Sequence, residues 1–171
     1  RIKALEYLNQ EQESMAGLTA RHADLTGIKL EKAELSRANL VNTSLIDSNL
    51  SNANLKEAKL NAAKLRKANL QEADLRHANL TQAKLESANL AKAKLNFAIF
   101  NDADLIDANL SHANLTDAHL KNTDLRNANL CCINLNHTRL MKANLSRTNL
   151  RKAKLISTIF KEANLWKSDL S

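Results

Sequence analysis

The chain has 171 residues, of which 44% are apolar and only 3% aromatic. A globular core anchored by Trp and Phe is therefore excluded, and the interior must consist mainly of Leu and Ala. Twenty-five Lys and Arg against eighteen Asp and Glu give a net charge of +7, which favours anionic partners such as nucleic acid or lipid headgroups over basic ones.

The first residues of the chain differ from all the others. Ile2, Leu5 and Leu8 fall at helical spacing, which predicts a short amphipathic helix with these three side chains on its buried face. Such a helix would cover the edge of the structure that follows, where backbone groups are otherwise unpaired. The alternative is a helix that binds a partner. Residues 1–22 are assigned to this capping helix and its lead-in.

A five-residue period occupies the rest of the chain. From Leu25 to Leu170 every fifth residue is Leu, except for Phe100 and Phe160. Two places before each of these stands a small residue, which is Ala in twenty-one of the thirty repeats. No insertion and no Pro interrupts the run. A fixed short period is the signature of a repeat architecture, so residues 23–171 are assigned to one repeat domain.

The period itself indicates how the backbone folds. On an α-helix five residues turn the chain by about 500°, so the Leu side chains would be smeared around the cylinder. In a continuous strand an odd period would send successive Leu side chains to opposite faces. Within one repeat, however, the small residue and the Leu share a face, and the two polar residues that follow can form a corner. The pattern therefore predicts a parallel β-solenoid with Leu and Ala inside.

Individual repeats resemble a known family. The units Ala-Asn-Leu-Lys-Glu from Ala53, Ala-Asp-Leu-Arg-His from Ala73 and Ala-Asn-Leu-Ser-His from Ala108 are similar to the A(D/N)LXX consensus of pentapeptide-repeat proteins. The resemblance implies an all-β fold, a right-handed quadrilateral parallel β-helix with four repeats per coil. Thirty repeats would then make about 7.5 coils after the N-terminal helical cap. Ile28 and Ile133 depart from the consensus because they are bulky at the small position.

A coil of four repeats would stack residues twenty apart in columns. Phe100 and Phe160 would share an inner column. The residue before the central one is Asn or Asp in eighteen of the thirty repeats, and we expect these side chains to bond nearby backbone at the turns. One outer column is an unbroken run of Asn, in which the amides can bond each other. It consists of Asn49, Asn69, Asn89, Asn109, Asn129 and Asn149.

Outward-facing side chains define a candidate interaction surface. Residues 56–94 and 139–171 are net basic, and residues 102–124 are net acidic. The basic side chains spread around all faces, which favours a solvated surface over the alternative of a docking site for an anion. Phe97 and Ile99 flank one corner, and Ile106 is placed one repeat further round. The candidate set is Phe97, Ile99, Ile106, Arg139, Lys142, Arg147, Arg151, Lys152, Lys154, Ile156, Ile159 and Trp166.

The residues do not indicate catalysis. Cys131, Cys132 and His112 would come together in a twenty-residue coil, but a zinc site needs a further ligand, and adjacent cysteines are poorly placed for a disulfide. We find no Ser-His-Asp grouping and no phosphate-binding loop, and smooth solenoid walls lack a concave site. We therefore expect no enzyme activity, no metal and no cofactor.

The leading functional prediction is a structural scaffold that binds unidentified proteins, with self-association through an uncapped C-terminal coil. One alternative is a DNA-mimicking inhibitor of gyrase, which the positive charge disfavours because DNA is an anion. Another is a basic module that binds anionic lipid or nucleic acid. Residues 4–30 resemble the entry segment of repeat domains in cyanobacterial multi-pass membrane proteins, of the type that places the heterocyst glycolipid layer. This resemblance implies a membrane-associated, cytoplasm-facing domain, tethered by a segment outside this sequence.

Overall fold

A computed structural model describes residues 1–171. Helix α1 spans Ile2–Gln10. The remainder contains no long strand, because each repeat contributes one bridging residue between a two-residue turn and the next. Twenty-seven parallel bridges run from Thr19↔Asn39 to Asn149↔Asp169, and each joins residues twenty apart. The chain therefore coils as a parallel β-solenoid in which each bridging residue pairs with the bridging residue four repeats later.

Residues 69–73 show how a repeat with Asn or Asp before the central Leu satisfies all five of its backbone N–H groups. The N–H of Asn69 donates to Ser48 of the preceding coil at 2.8 Å, and those of Leu70 and Glu72 donate to carbonyls of the following coil at 2.7 and 2.9 Å. The N–H of Ala73 closes the turn onto the Leu70 carbonyl at 3.0 Å. The fifth, that of Gln71, donates to the Oδ1 atom of Asn69 at 3.2 Å.

This last bond explains the Asn or Asp before the central Leu. The side-chain oxygen accepts from the N–H two residues later in seventeen of the eighteen repeats that carry Asn or Asp there. Asn39 is the exception, and its Oδ1 has no partner. The expectation that these side chains bond backbone at the turns is confirmed. Without these side chains, one backbone N–H in each of these repeats would need a water molecule as its hydrogen-bond acceptor.

The corners require a left-handed backbone. The second turn residue has a positive φ in every repeat, for example 59° at Glu72 and 57° at Ser87, as type II turns demand of their third residue. Only Gly17 and Gly27 supply a glycine there. Residues with a side chain occupy the left-handed region at a cost of about 1–2 kcal/mol. Their N–H groups, bonded to the next coil, hold them in it.

The interior is one continuous cluster of 48 buried apolar residues. Every central residue from Leu25 to Leu150 is at most 2% exposed, Phe100 included. Thr replaces Ala inside without loss, because its hydroxyl donates to a carbonyl of the preceding coil, as Thr123 does to Phe100 at 2.8 Å. Met15 is also buried and occupies the position of a central Leu. The bridging register thus begins ahead of residue 23, at Thr19.

Helix α1 seats on the first coil through a different face from the one expected. Ile2 and Leu5 pack against the core, but Leu8 is 38% exposed, so its assignment to the buried face was wrong. Glu6 and Asn9 turn towards the coil instead: the Glu6 carboxylate accepts from the Lys29 N–H at 2.9 Å, and the Asn9 amide donates to the Glu31 carbonyl at 3.0 Å. The unpaired backbone of the first coil needs polar partners, which rotates the helix away from the purely apolar stripe.

Candidate interaction surfaces

The bridging residues form four outer faces, A to D, in the order in which the chain visits them. Face A contains Asp24, face B Lys29, face C Glu34 and face D Asn39, each with its successors at twenty-residue intervals. Corner AB is the turn that follows face A, and corners BC, CD and DA are named likewise.

The candidate residues are distributed over all sides of the solenoid. Face D carries Ile99, Arg139 and Ile159, and face C carries Lys154. Corner AB carries Ile106, Arg147 and Trp166, corner BC Arg151 and Lys152, corner CD Phe97 and Ile156, and corner DA Lys142. Twelve residues chosen as one set therefore belong to several separate surfaces.

Ile106 lies in the repeat that follows that of Ile99, and two repeats after that of Phe97. The turns at residues 96–97 and 106–107 are ten residues apart, so Phe97 and Ile106 occupy diagonally opposite corners of a twenty-residue coil. Phe97, 49% exposed, instead stacks on the imidazole of His77, with ring centroids 4.8 Å apart and planes inclined by 3°.

Face B presents the Asn column. The Nδ2 atom of each Asn donates to the Oδ1 atom of the Asn one coil earlier, at 3.2 Å from Asn69 to Asn49 and at 3.3 Å from Asn89 to Asn69. The same bond recurs without interruption up to Asn149, whose partner is Asn129 at 3.2 Å. The predicted amide ladder is confirmed.

The last coil, residues 152–171, leaves its apolar side chains uncovered. Leu155, Phe160 and Leu165 are only partly buried, and Leu170 is 55% exposed. Around its rim Ile156, Ile159 and Trp166 are 66%, 44% and 54% exposed. No other coil brings so many large apolar groups to the surface. The central residues of earlier coils are covered by the next coil, whereas Ile156, Ile159 and Trp166 face outward.

The C-terminal basic residues are partly neutralised. Lys142 Nζ lies 3.5 Å from a carboxylate oxygen of Glu162, and Arg151 Nε lies 3.8 Å from Asp169. The pKa of the Asp169 carboxyl is lowered by hydrogen bonds from Ser171, with a smaller contribution from Arg151. These ion pairs occupy two different corners, so the basic residues do not line one groove.

Trp166 attracts two of the remaining cations. The guanidinium carbon of Arg147 lies 5.3 Å from the centroid of the indole ring, and Lys167 Nζ lies 4.4 Å from it. Arg126, Asn127 and Ser146 complete a shallow groove beside them on corner AB. Cation–π contacts of this kind contribute about 0.5–1 kcal/mol at exposed sites, enough to hold the indole against the surface.

Comparison with known proteins decides the family. The profile described as "Pentapeptide repeat region" matches residues 21–95, and that described as "Pentapeptide repeats (8 copies)" matches residues 83–122, 118–155 and 138–171. The chain belongs to the pentapeptide-repeat family. Its members fold as right-handed quadrilateral β-helices, and no catalytic family is among the matches. No curated protein sequence matches this chain significantly.

Solved pentapeptide-repeat structures are similar over most of the chain. HetL, described as involved in heterocyst differentiation regulation in the cyanobacterium Nostoc sp. strain PCC 7120, is 27% identical over 90% of this chain and 85% of its own, with a TM-score of 0.55. Trypsin-treated QnrB1, a plasmid-mediated fluoroquinolone resistance protein, is 17% identical over 90% of this chain and 80% of its own, with a TM-score of 0.81. At that identity QnrB1 supports the fold alone.

Several features of this pentapeptide-repeat chain escaped sequence reasoning. The hydrogen bonds by which Glu6 and Asn9 hold α1 on the first coil could not be found from the spacing of apolar residues. The stacking of Phe97 on His77 could have been found, because the two residues are twenty apart. Within the solenoid no group of three or more Cys, His, Asp or Glu side chains is placed to hold a metal ion. No helix in the structure has the length and apolar character to cross a bilayer.

Proposed function

We propose that this pentapeptide-repeat chain is a non-catalytic scaffold that binds other proteins, and that it pairs with a second copy of itself through the last coil. The observation that carries the proposal is the exposure of the central residue Leu170 at 55%, with the outward residues Ile156 and Ile159 of the same coil at 66% and 44%. Exposed apolar groups rimmed by polar residues mark protein–protein interaction sites.

Backbone donors of the last coil support the same surface. In the preceding coil the N–H of Leu135 donates to Lys154 and that of Leu140 donates to Ile159, each at 2.8 Å. The corresponding N–H groups of Leu155, Phe160 and Leu165 have no acceptor. An edge that combines free donors with apolar side chains is a template for pairing with another β-edge. A second copy offers the apolar complement, since its own last coil carries the same uncovered side chains.

The test measures oligomeric state. Analytical ultracentrifugation of the 171-residue chain should show a concentration-dependent dimer, and Ile159→Lys should shift it to monomer because a charge would enter the apolar contact. Phe97→Lys is the matched control, since Phe97 is 49% exposed but lies in mid-solenoid, and it should leave the dimer intact. A monomeric parent chain at every concentration would refute pairing. Equal loss of dimer in both variants would refute the assigned surface.

Inhibition of gyrase by DNA mimicry is disfavoured by the charge distribution. A mimic must present negative charge densely along its length, whereas the chain carries a net charge of +7. Its acidic residues concentrate between Asp102 and Asp124, and Asp124 is itself paired with Arg126 at 2.7 Å. We expect no inhibition in a supercoiling assay, and inhibition would overturn this assignment.

Binding to anionic lipid or nucleic acid is likewise secondary. The basic groups of the C-terminal coils point in several directions and some already have acidic partners, so any such binding should be weak and salt-sensitive. A gel shift and a sedimentation assay with anionic vesicles at physiological salt should both be negative. Tethering to a membrane by a segment outside this chain stays a prediction, which the surrounding sequence would test.

A further inference from the structure

Both cysteines of the chain stand at one corner. Cys131 and Cys132 are the two central residues of a turn at corner BC, and their Sγ atoms lie 3.4 Å apart. Both thiols are free and half-buried, so reagents in solution can reach them. No other corner carries a thiol.

The backbone of this corner is held on all sides. The Cys131 N–H donates to the Oδ1 atom of Asn129 at 3.2 Å. The Cys132 N–H donates to the Arg151 carbonyl of the next coil at 2.8 Å, and the Ile133 N–H closes the turn onto Leu130 at 3.2 Å. Because the turn cannot easily rearrange, the backbone holds the two cysteine side chains next to each other before any ligand arrives.

The same geometry keeps the pair reduced. Cα atoms of adjacent residues joined by a trans peptide are about 3.8 Å apart, whereas disulfides usually span about 4.4–6.8 Å between Cα atoms. A bond between Cys131 and Cys132 would therefore distort a turn that the neighbouring coils hold in place. The corner presents a dithiol, and its natural ligand is an atom that bonds both sulfurs.

The distance between the two sulfur atoms indicates which kind of ligand atom both of them can bind. With bonds of about 2.3 Å to each sulfur, as for a thiolate on zinc, a separation of 3.4 Å gives an S–X–S angle of about 95°. Tetrahedral zinc needs a wider angle and two further ligands, and no third ligand converges here. A trivalent pyramidal centre, whose bonds lie close to right angles, fits. We infer that Cys131 and Cys132 form a binding site for trivalent arsenicals.

The reaction at this site is a condensation without redox change. An organoarsenic oxide gains two As–S bonds and loses its As=O bond, and the two thiol protons leave with the oxygen as one water molecule. A hydrogen bond with Cys132 and burial raise the pKa of the Cys131 thiol, while Lys152 and Arg151 act in the opposite direction. The first sulfur to bond delivers the arsenic directly to the second.

The experiment uses phenylarsine oxide on the full chain. We expect one adduct per chain by intact mass spectrometry, with loss of both free thiols, and displacement by a dithiol but not by a monothiol. Cys131→Ser and Cys132→Ser should each weaken binding by about 10²- to 10⁴-fold, the gain typical of a second, intramolecular bond. Two adducts per chain, or equal affinity in the parent and the single variants, would overturn the site.

Moving the pair tests whether the corner geometry is the cause. One coil earlier, the N–H of Ser111 donates to Asn109 at 3.1 Å and that of His112 donates to the Cys131 carbonyl at 2.9 Å. Adding Ser111→Cys and His112→Cys to a chain that carries Cys131→Ser and Cys132→Ser should restore tight binding. The double-serine chain should show none. Failure of a transplanted pair with an unchanged circular dichroism spectrum would overturn the geometric explanation.

Discussion

Replacing Asn89 by Ala tests the hydrogen-bond system that explains the repeat. Its Oδ1 atom accepts from the Ala91 N–H at 3.2 Å and from Asn109 Nδ2 at 3.3 Å, and its own Nδ2 donates to Asn69 Oδ1 at 3.3 Å. The substitution Asn89→Ala therefore removes one turn cap and two ladder bonds at once.

The expected loss follows from the number of bonds. Each intramolecular hydrogen bond contributes about 0.5–1.5 kcal/mol to the free energy of unfolding, so the loss of three bonds in Asn89→Ala should cost about 1.5–4.5 kcal/mol. Asn134 is the matched control, because it is equally half-buried but makes only the turn cap, to the Asn136 N–H at 3.1 Å. Asn134→Ala should therefore cost only about 0.5–1.5 kcal/mol.

Chemical denaturation followed by far-UV circular dichroism measures both losses. Thermal midpoints should fall by about 2–4 °C per kcal/mol in a chain of this length. Asn89→Asp provides a further check, since it keeps the oxygen that caps the turn but loses the Nδ2 donor to Asn69, and it should fall between Ala and the parent. Equal losses in Asn89→Ala and Asn134→Ala would show that the ladder adds nothing to stability.

Three further predictions concern the core, the helix and acid stability. Leu90→Lys places a charge at a position that is 0% exposed and should unfold the stack cooperatively; an unchanged melting midpoint would contradict the inward assignment. Glu6→Ala removes the acceptor for the Lys29 N–H and should lower the free energy of unfolding by about 1–2 kcal/mol. Glu6→Gln keeps an acceptor, and Glu11→Ala changes an exposed residue, so both should be neutral. Equal melting midpoints for all three variants would show that the Glu6 bond does not stabilise the first coil. Burial raises the pKa of Asp74, but hydrogen bonds from Arg76 outweigh this effect and leave the pKa below its ordinary value. This carboxylate therefore stabilises the fold above a pH of about 4, and the stabilisation is lost as the pH falls through the folded pKa. Asp74→Asn should therefore be less stable than the parent at neutral pH, and the urea midpoints should converge as the pH falls through the folded pKa of Asp74. A constant difference would refute the linkage.

Much of the fold could be read from short-range patterns. The spacing of Ala and Leu identified the inward positions because a three-residue extended segment must place both on one side. The Asn and Asp residues before the central Leu indicated turn capping for the same local reason. The sequence predicted helix α1 but not which of its faces packs against the first coil. Leu8 cannot face the first coil together with Glu6 and Asn9. The helix turns Glu6 and Asn9 inward because they form hydrogen bonds with otherwise unpaired backbone groups of that coil.

The sequence predicted which residues of the candidate surface face outward, but not which of them lie next to each other. Sequence alone identified Phe97, Ile106 and Trp166 as outward apolar residues, but their neighbours depend on the register. That register is carried by hydrogen bonds between residues nineteen and twenty-one apart, which no local pattern encodes. It stacks Phe97 on His77 and sets Ile106 on the opposite corner. It also places Cys131 and Cys132 on a corner that the next coil holds rigid.

The amino-acid sequence by itself determined which side chains face inward and that the backbone must turn at every fifth residue, because both follow from steric and polar preferences within one repeat. Tertiary structure alone decided which residues share a column and which face of α1 meets the first coil. These depend on pairing between successive coils, where long-range backbone bonds outweigh any local preference.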